Sequence, residues 1–336
     1  DVGRPDLAQK AAHMTQDQLA GLLFDSLRNK IMPLSDDIIV YPAHGAGSAC
    51  GKNMMKETVD TLGNQKKVNY ALRENMTREE FIKEVTDGLA PPPQYFPLNV
   101  KMNKSGYDDF DNVLSRGLNP LTPESFELLA NEAEAIILDV RHQDEFVKGH
   151  VPRSVFIGLD GGFAPWVGSV LKDINTKILL VCDHGQEQEA IMRLSRVGFD
   201  NCLGFLNGGF KTWKDSGNSI GTIDSISASG LEEVIDQDGE ILDVRQLGER
   251  NNGRLKKSVH IPLGLIDIKN DHLNKLNKYY IHCAGGYRSM IACSVLKKQG
   301  FKNLIDNGSS TDITTAINTG YIDCGTTSIG VELNVL

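Results

Sequence analysis

The sequence contains one unit twice, and that repeat limits what the chain can fold into more than any other feature. LDVRHQDEFVKGHVPRSVFI (Leu138–Ile157) and LDVRQLGERNNGRLKKSVHI (Leu242–Ile261) align without a gap. They share Leu-Asp-Val-Arg, then Glu145 with Glu249, Gly149 with Gly253, Ser154 with Ser258, Val155 with Val259 and Ile157 with Ile261. Further on, Glu189–Asn201 and Met290–Asn303 match through Ala190/Ala292, Leu194/Leu296, Gly198/Gly300, Phe199/Phe301 and Asn201/Asn303. Identity at so many spaced positions goes beyond composition, so two copies of one structural unit follow each other.

Within each copy the apolar runs AIILDV, KILLVCD, GEILDV and YYIHC are short and β-rich, the pattern of fully buried parallel strands. Between them lie stretches such as AIMRLSRVGF and SMIACSVLKKQGF, apolar at spacings of three and four and ending at Gly198 or Gly300, which predicts helices. Strand alternating with helix makes each copy a doubly wound α/β domain of roughly 100 residues. The expected bounds are 119–220 and 221–336. Residues 1–95 share none of the repeat, and the proline-rich TDGLAPPPQYFPLNVKMNKSG predicts a linker over 96–118.

Composition narrows the partners. A net charge of −9 with no block of lysine and arginine argues against nucleic acid or an anionic membrane surface, leaving small molecules or proteins. With 40% apolar and 24% charged positions the chain is too apolar for general disorder. No apolar run approaches the roughly 18 residues of a membrane span, and DVGRPDLAQK carries neither the basic nor the apolar part of a leader. The six cysteines (Cys50, Cys182, Cys202, Cys283, Cys293, Cys324) show no disulfide-framework spacing, so a reducing cytoplasm is the expected compartment.

Cys283 ends the strand YYIHC, and in a parallel sheet ligands sit at the carboxyl ends of strands. The residues after it, Ala284, Gly285, Gly286, Tyr287, Arg288 and Ser289, are expected to curl their N–H groups toward the sulfur, with a helix from about Ser289 aimed at the same point. Such a nest holds an anion. Its amides, the helix terminus and Arg288 would lower the thiol pKa, and the cradle suits a persulfide or an oxyanion. A Cys-x5-Arg phosphatase or arsenate reductase loop places its arginine one residue later than Arg288, and the shorter spacing favours a sulfur atom.

Cys-x-x-Gly-x-Arg-Ser after a strand, with LDVR upstream and G-x-x-x-x-S-V-x-I-P between, resembles a rhodanese domain. The resemblance implies that Cys283 carries a sulfane sulfur from thiosulfate or a low-molecular-weight persulfide to a thiol acceptor such as glutathione or coenzyme A. Arg288 and Ser289 would be part of the loop, and Asp243 and Arg245 would buttress it from the neighbouring strand. In the first copy VCDHGQEQEA puts Glu187 where Arg288 would match and Asp183 beside Cys182, and carboxylates raise a thiol pKa. The first copy therefore reads as an inactive rhodanese kept for structure or docking, with Cys182 in the core and His184 facing solvent. The second copy lacks the Gly-Gly-Phe and tryptophan of FLNGGFKTWKDSG, and Cys324 has no assigned role.

In the N-terminal third, DIIVYPAHGAGSACGKN places His44 on a loop after a buried strand. A lone histidine is more often a satisfied polar residue than a metal ligand. Yet Tyr-Pro-Ala-His-Gly, with Gly-Arg-Pro-Asp upstream and the repeat downstream, resembles the carboxy-terminal part of a metallo-β-lactamase-fold domain of the persulfide dioxygenase type. The implied architecture is part of an αββα domain followed by two doubly wound rhodanese-like domains. The resemblance implies Fe(II) in the longer enzyme, His44 near or binding it, Arg4 and Asp6 as a structural ion pair beside it, and Cys50 as a candidate persulfide relay. The His-x-His-x-Asp-His signature and the other ligands are not in this sequence. The chain as given is thus expected to be a truncated form that binds no iron.

The leading expectation is a sulfide-detoxifying fusion in which Cys283 and an iron domain exchange persulfide sulfur, with room for a homo-oligomer. One alternative is a glyoxalase-II-like hydrolase, with zinc, carrying rhodanese appendages. The other is a rhodanese pair acting as a non-catalytic binding module.

Overall fold

The computed structural model describes residues 2–9, 13–44, 56–87, 89, 96–227, 239–307 and 322–323. The chain forms two compact units, Asp1–Tyr107 and Asp108–Leu336.

In the first unit a short 3-10 turn, Pro5–Ala8, precedes α1 (Gln16–Ser26), whose Thr15 and Gln18 form a reciprocal capping box. Strands β1 (Ile39–Val40) and β2 (Asp60–Thr61) pair antiparallel. Helices α2 (Leu62–Val68), α3 (Arg78–Thr86) and α4 (Phe96–Ser105) follow. α1 packs on α3 around Ala20, Leu27, Leu72, Phe81 and Val85, with Phe24 meeting Phe81 edge to face at 5.4 Å.

The second unit begins with α5 (Phe110–Gly117). Its first five-stranded sheet comprises β3 (Pro120–Leu121), β4 (Ile136–Asp139), β5 (Val155–Phe156), β6 (Ile178–Val181) and β7 (Cys202–Leu206). Helices α6 (Pro123–Glu132), α7 (Gln143–Lys148), α8 (Phe163–Val170), α9 (Glu187–Ser195) and α10 (Gly209–Asp215) connect and cover it. The second sheet comprises β8 (Asp224–Ser225), β9 (Glu240–Asp243), β11 (Val259–His260), β12 (Lys278–His282) and β13 (Asn303–Asp306). Among the described residues its helices are α11 (Leu247–Asn251) and α12 (Tyr287–Lys298), and a small antiparallel ribbon joins β10 (Arg254–Leu255) to β14 (Ile322–Asp323).

The two sheets share one topology. The first runs β3-β7-β6-β4-β5 and the second β8-β13-β12-β9-β11, every pairing parallel, so each strand of one copy has its counterpart in the other. Central strands β6 and β12 are buried along almost their whole length, the consequence of helices on both faces. The repeat read from the sequence is thus a repeat of a mixed α/β fold with parallel sheets.

Two boundaries differ from expectation. The linker expected over 96–118 is helical instead: α4 belongs to the first unit, and α5 packs on β7 and α9 of the second. Gly117 lies so near Ile191 that a Cβ would come within 2.7 Å of it, and Val113 is fully buried. Packing on that sheet gives α5 the stability that a free proline-rich linker lacks. α12 also starts two residues before the expected Ser289, at Tyr287, because Gly286 takes a left-handed φ of +82° and caps it.

α12 joins the copies. Its residues Ser289–Leu296 are all buried, because it lies between its own sheet and β5, the edge strand of the first copy. The Phe156 N–H donates to Ser294 Oγ at 3.0 Å, which satisfies an edge amide, and Lys172 pairs with Asp267 at 2.6 Å. Among the described residues no helix is long and apolar enough to cross a membrane.

Candidate functional site

Cys283 follows β12 directly and leads through a four-residue turn into α12. The Gly286 N–H donates to its sulfur at 3.1 Å, and Ser289 Oγ lies 3.6 Å from the same atom. The Ser289 hydroxyl also meets the Gly286 carbonyl at 2.8 Å and pins the turn. The sulfur therefore sits in a nest at the start of a helix, 1% exposed, with Ala284 and Gly285 forming the exposed lip above it.

Around that loop lies a layer of charge. Asp243, fully buried at the end of β9, accepts from Arg245 Nε at 2.9 Å and Nη2 at 2.8 Å, and Arg245 Nη2 also donates to the Gly253 carbonyl. Arg250 adds a contact to Asp243 at 3.3 Å and donates to Ser258 Oγ at 2.8 Å. Burial pushes the Asp243 carboxyl upward, but the hydrogen bonds from Arg245 and the charges around it prevail and hold it down to about 2. Arg288, at the foot of α12, is clamped by Glu249 of α11 at 2.6 and 2.7 Å, a bidentate pair. The clamp raises the guanidinium pKa, and the Cys283 sulfur acts on the same group.

The first copy supplies an internal comparison. Asp139, Arg141 and the Gly149 carbonyl reproduce the Asp243–Arg245–Gly253 arrangement, with Arg141 Nη2 at 2.6 Å from Asp139 and 2.9 Å from Gly149. Its loop differs. From Cys182 to Ala190 there is one residue fewer than from Cys283 to Ala292. The Gly185 N–H donates to Glu187 Oε2 at 2.8 Å, so a carboxylate occupies the amide that the sulfur occupies in the second copy. Burial first, then Glu187, Asp139 and Asp183, push the Cys182 thiol far up. Cys182 is 2% exposed, whereas the His184 side chain is fully exposed.

The first copy also touches the loop of the second. Tyr287 donates its hydroxyl to the Gly158 carbonyl at 2.6 Å and packs edge-on against Phe156 at 5.7 Å.

In the N-terminal third, Arg4 and Asp6 form the expected ion pair at 2.6 Å, both side chains buried. His44 is exposed after β1, and Cys50 lies outside the described residues. Among the described residues no three His, Cys, Asp or Glu side chains gather in a way that could hold a metal. The described residues alone do not make up an iron site.

Sequence reasoning placed the loop but missed two of its neighbours. Glu249 appeared only as a repeat match to Glu145, and its pairing with Arg288 spans 39 positions. His282 is the other. It is fully buried beside Cys283, neither ring nitrogen has a hydrogen-bond partner among the described residues, and Nε2 lies 3.8 Å from Asp243 Oδ2. The one signal for it was position, since Val181 stands at the matching end of β6.

Comparison with known proteins adds to this geometry. The family model of the rhodanese-like domain matches residues 122–216 and 227–310. YrkF of Bacillus subtilis (strain 168), provisionally named a sulfur carrier protein, is 36% identical over 98 residues, 29% of this chain and 53% of its own. YtwF of the same strain, provisionally named a sulfurtransferase, is 39% identical over 84 residues, 24% of this chain and 82% of its own. A solved metallo-beta-lactamase from Staphylococcus aureus subsp. aureus COL superposes with a TM-score of 0.50 at 27% identity, over 61% of this chain and 55% of that one. The chain spans about half the length of the first and last of these relatives.

Proposed function

The chain belongs to the rhodanese-like domain family, and from that premise we propose that its second copy is a sulfurtransferase in which Cys283 carries the sulfane sulfur. The observation that carries this is the Gly286 amide on the Cys283 sulfur at 3.1 Å, set against the carboxylate that fills the same place in the first copy. The Cys283 thiolate attacks the sulfane sulfur of a donor, thiosulfate or an organic persulfide. The donor S–S bond breaks, sulfite or a thiolate leaves, and Cys283 becomes a persulfide. An acceptor thiolate such as glutathione or coenzyme A then attacks the outer sulfur, takes it as a new persulfide and returns the Cys283 thiolate. The nest stabilises negative charge on the sulfur at both stages. With its amide filled by Glu187, the first copy serves as a docking partner for α12 and transfers nothing.

The finer reading is a fusion to a persulfide dioxygenase domain, with His44, Arg4 and Asp6 in its carboxy-terminal part. The likeness to the staphylococcal metallo-beta-lactamase supports it at the level of fold. The free cysteines Cys182, Cys202, Cys283 and Cys293 accord with a reducing cytoplasm.

Sulfur transfer from thiosulfate to cyanide, and from glutathione persulfide to a thiol, tests the first reading. Activity that disappears in Cys283→Ser and persists in Cys182→Ser supports it, and activity retained in Cys283→Ser overturns it. Sulfite formed from a persulfide under oxygen, in proportion to bound iron, tests the second.

A further inference from the structure

Resting on the sulfurtransferase reading, we infer that Glu249 is a positioning residue that sets donor choice, holding Arg288 so that the loop favours a singly charged organic persulfide over doubly charged thiosulfate.

Both donors deliver the same atom. Thiosulfate gives up its outer sulfur and leaves as sulfite, a dianion, whereas a persulfide R–S–S⁻ leaves as the monoanion R–S⁻. In each case one S–S bond breaks, one forms on Cys283, and no proton or outside oxidant is needed. The donors differ in the negative charge that the mouth of the loop must hold while the bond is exchanged. An arginine with free N–H groups is the side chain best suited to three sulfonate oxygens. Here that arginine is occupied. Glu249 closes both carboxylate oxygens on Arg288 Nη1 and Nη2 at 2.6 and 2.7 Å, a fork-to-fork pair that takes up two of its N–H groups and answers its charge.

The other guanidinium groups nearby are committed too. Arg245 is bound by Asp243 and the Gly253 carbonyl, and Arg250 by Asp243, Ser258 Oγ and the Ser258 carbonyl. Asp243 and Glu249 thus answer two of three positive charges around the loop, and the sulfur has the Gly286 amide and a share of Arg288. Glu249 is itself held in place. It caps α11 through the Gln246 N–H at 3.0 Å, so its carboxylate is pre-aimed at Arg288. The repeat shows that this pairing is specific to the second copy. The matching Glu145 bonds the exposed Lys148 of its own helix, and no arginine stands in the Arg288 position of the first loop.

Alkylation of Cys283 in the folded chain by iodoacetate and by iodoacetamide tests this. The two reagents share a mechanism and differ by one negative charge, so their rate ratio reads the charge at the loop and is insensitive to thiol ionisation. Glu249→Gln is expected to raise the iodoacetate-to-iodoacetamide ratio by roughly threefold to tenfold at low ionic strength, the effect of one unit charge several ångströms away, and to lose most of that gain in high salt. Arg288→Gln, which strands Glu249, is expected to lower the ratio. In sulfur transfer, Glu249→Gln should raise kcat/KM for thiosulfate relative to 2-hydroxyethyl persulfide, whose one charge is on the persulfide, by a similar factor. A bracing role alone would change both reagents and both donors together. Equal ratios in wild type and Glu249→Gln, or a shift in the same direction for both variants, would overturn the inference. If wild type transfers sulfur from neither donor, the sulfurtransferase reading falls and donor choice with it. Transfer from both donors with an unchanged ratio removes the inference on Glu249 alone.

Discussion

The Gly286 amide points at the Cys283 sulfur from 3.1 Å, while the Gly185 amide of the first copy points at the Glu187 carboxylate from 2.8 Å. One backbone pattern thus presents the same donor twice, once to a nucleophile and once to a side chain that occupies its place.

That contrast makes Gly286 a sensitive position. Its φ of +82° lies where an L side chain costs about 1–2 kcal/mol, and relaxing it would swing the amide off the sulfur. Gly286→Ala is expected to lose stability of that order and to lower sulfur transfer at least tenfold. The check is a denaturation midpoint read beside kcat.

The first copy should stay inert even when its carboxylate is removed. Burial is the largest influence on Cys182, ahead of Glu187. Glu187→Ala is therefore expected to leave Cys182 alkylating much more slowly than Cys283 in the native chain. Quantifying labelled peptides would show this, and comparable labelling of the two cysteines would refute it.

Much of this arrangement was legible in the residues. The paired LDVR strands, the alternation with helices and the strand-loop-helix around Cys283 all follow from local patterns, and the sheet order repeats as the residues repeat. The linker misled because the proline run dominates the local reading, while α5 is held by tertiary contacts of Val113 and Gly117 that no local pattern reports. Glu249 was visible as a repeated glutamate, but its pairing with Arg288, 39 positions away, is a tertiary contact that no local pattern reports. Likewise the burial of His282 depends on what covers the end of β12, which a five-residue apolar run does not reveal.

Polar contacts add to the packing of α12 on β5 that joins the copies. Ser294→Ala removes the acceptor for the buried Phe156 N–H, and an orphaned buried amide costs about 1–3 kcal/mol. Urea unfolding should show a loss in this range. Tyr287→Phe, which removes the hydroxyl bonded to Gly158, should cost about 1 kcal/mol by the same measurement.

His282 should make stability depend on pH. Burial holds its pKa down to about 4, from an ordinary 6.5, and Asp243 only partly opposes this. Between those values the unfolded chain binds a proton that the folded chain does not, so stability falls as pH drops from 6.5 toward about 4. His150, lowered to about 4 as well, adds a second contribution of the same sign. Asp243 acts elsewhere: its depressed pKa contributes stability that is present above 3.8 and lost as pH falls toward about 2. His282→Val, the residue of the first copy, is expected to remove about 3 kcal/mol of this acid sensitivity, about half the histidine effect. Unfolding midpoints across that window for the two proteins would reveal it, and parallel curves would refute it.

The most direct test of the central claim is to load the protein with thiosulfate or glutathione persulfide, remove the donor, and locate any added mass by peptide mass spectrometry without reduction. The account predicts one extra sulfur atom on the peptide carrying Cys283, discharged by cyanide and absent in Cys283→Ser. Extra sulfur on another cysteine, or an unchanged Cys283 peptide in a protein that transfers sulfur, would contradict it.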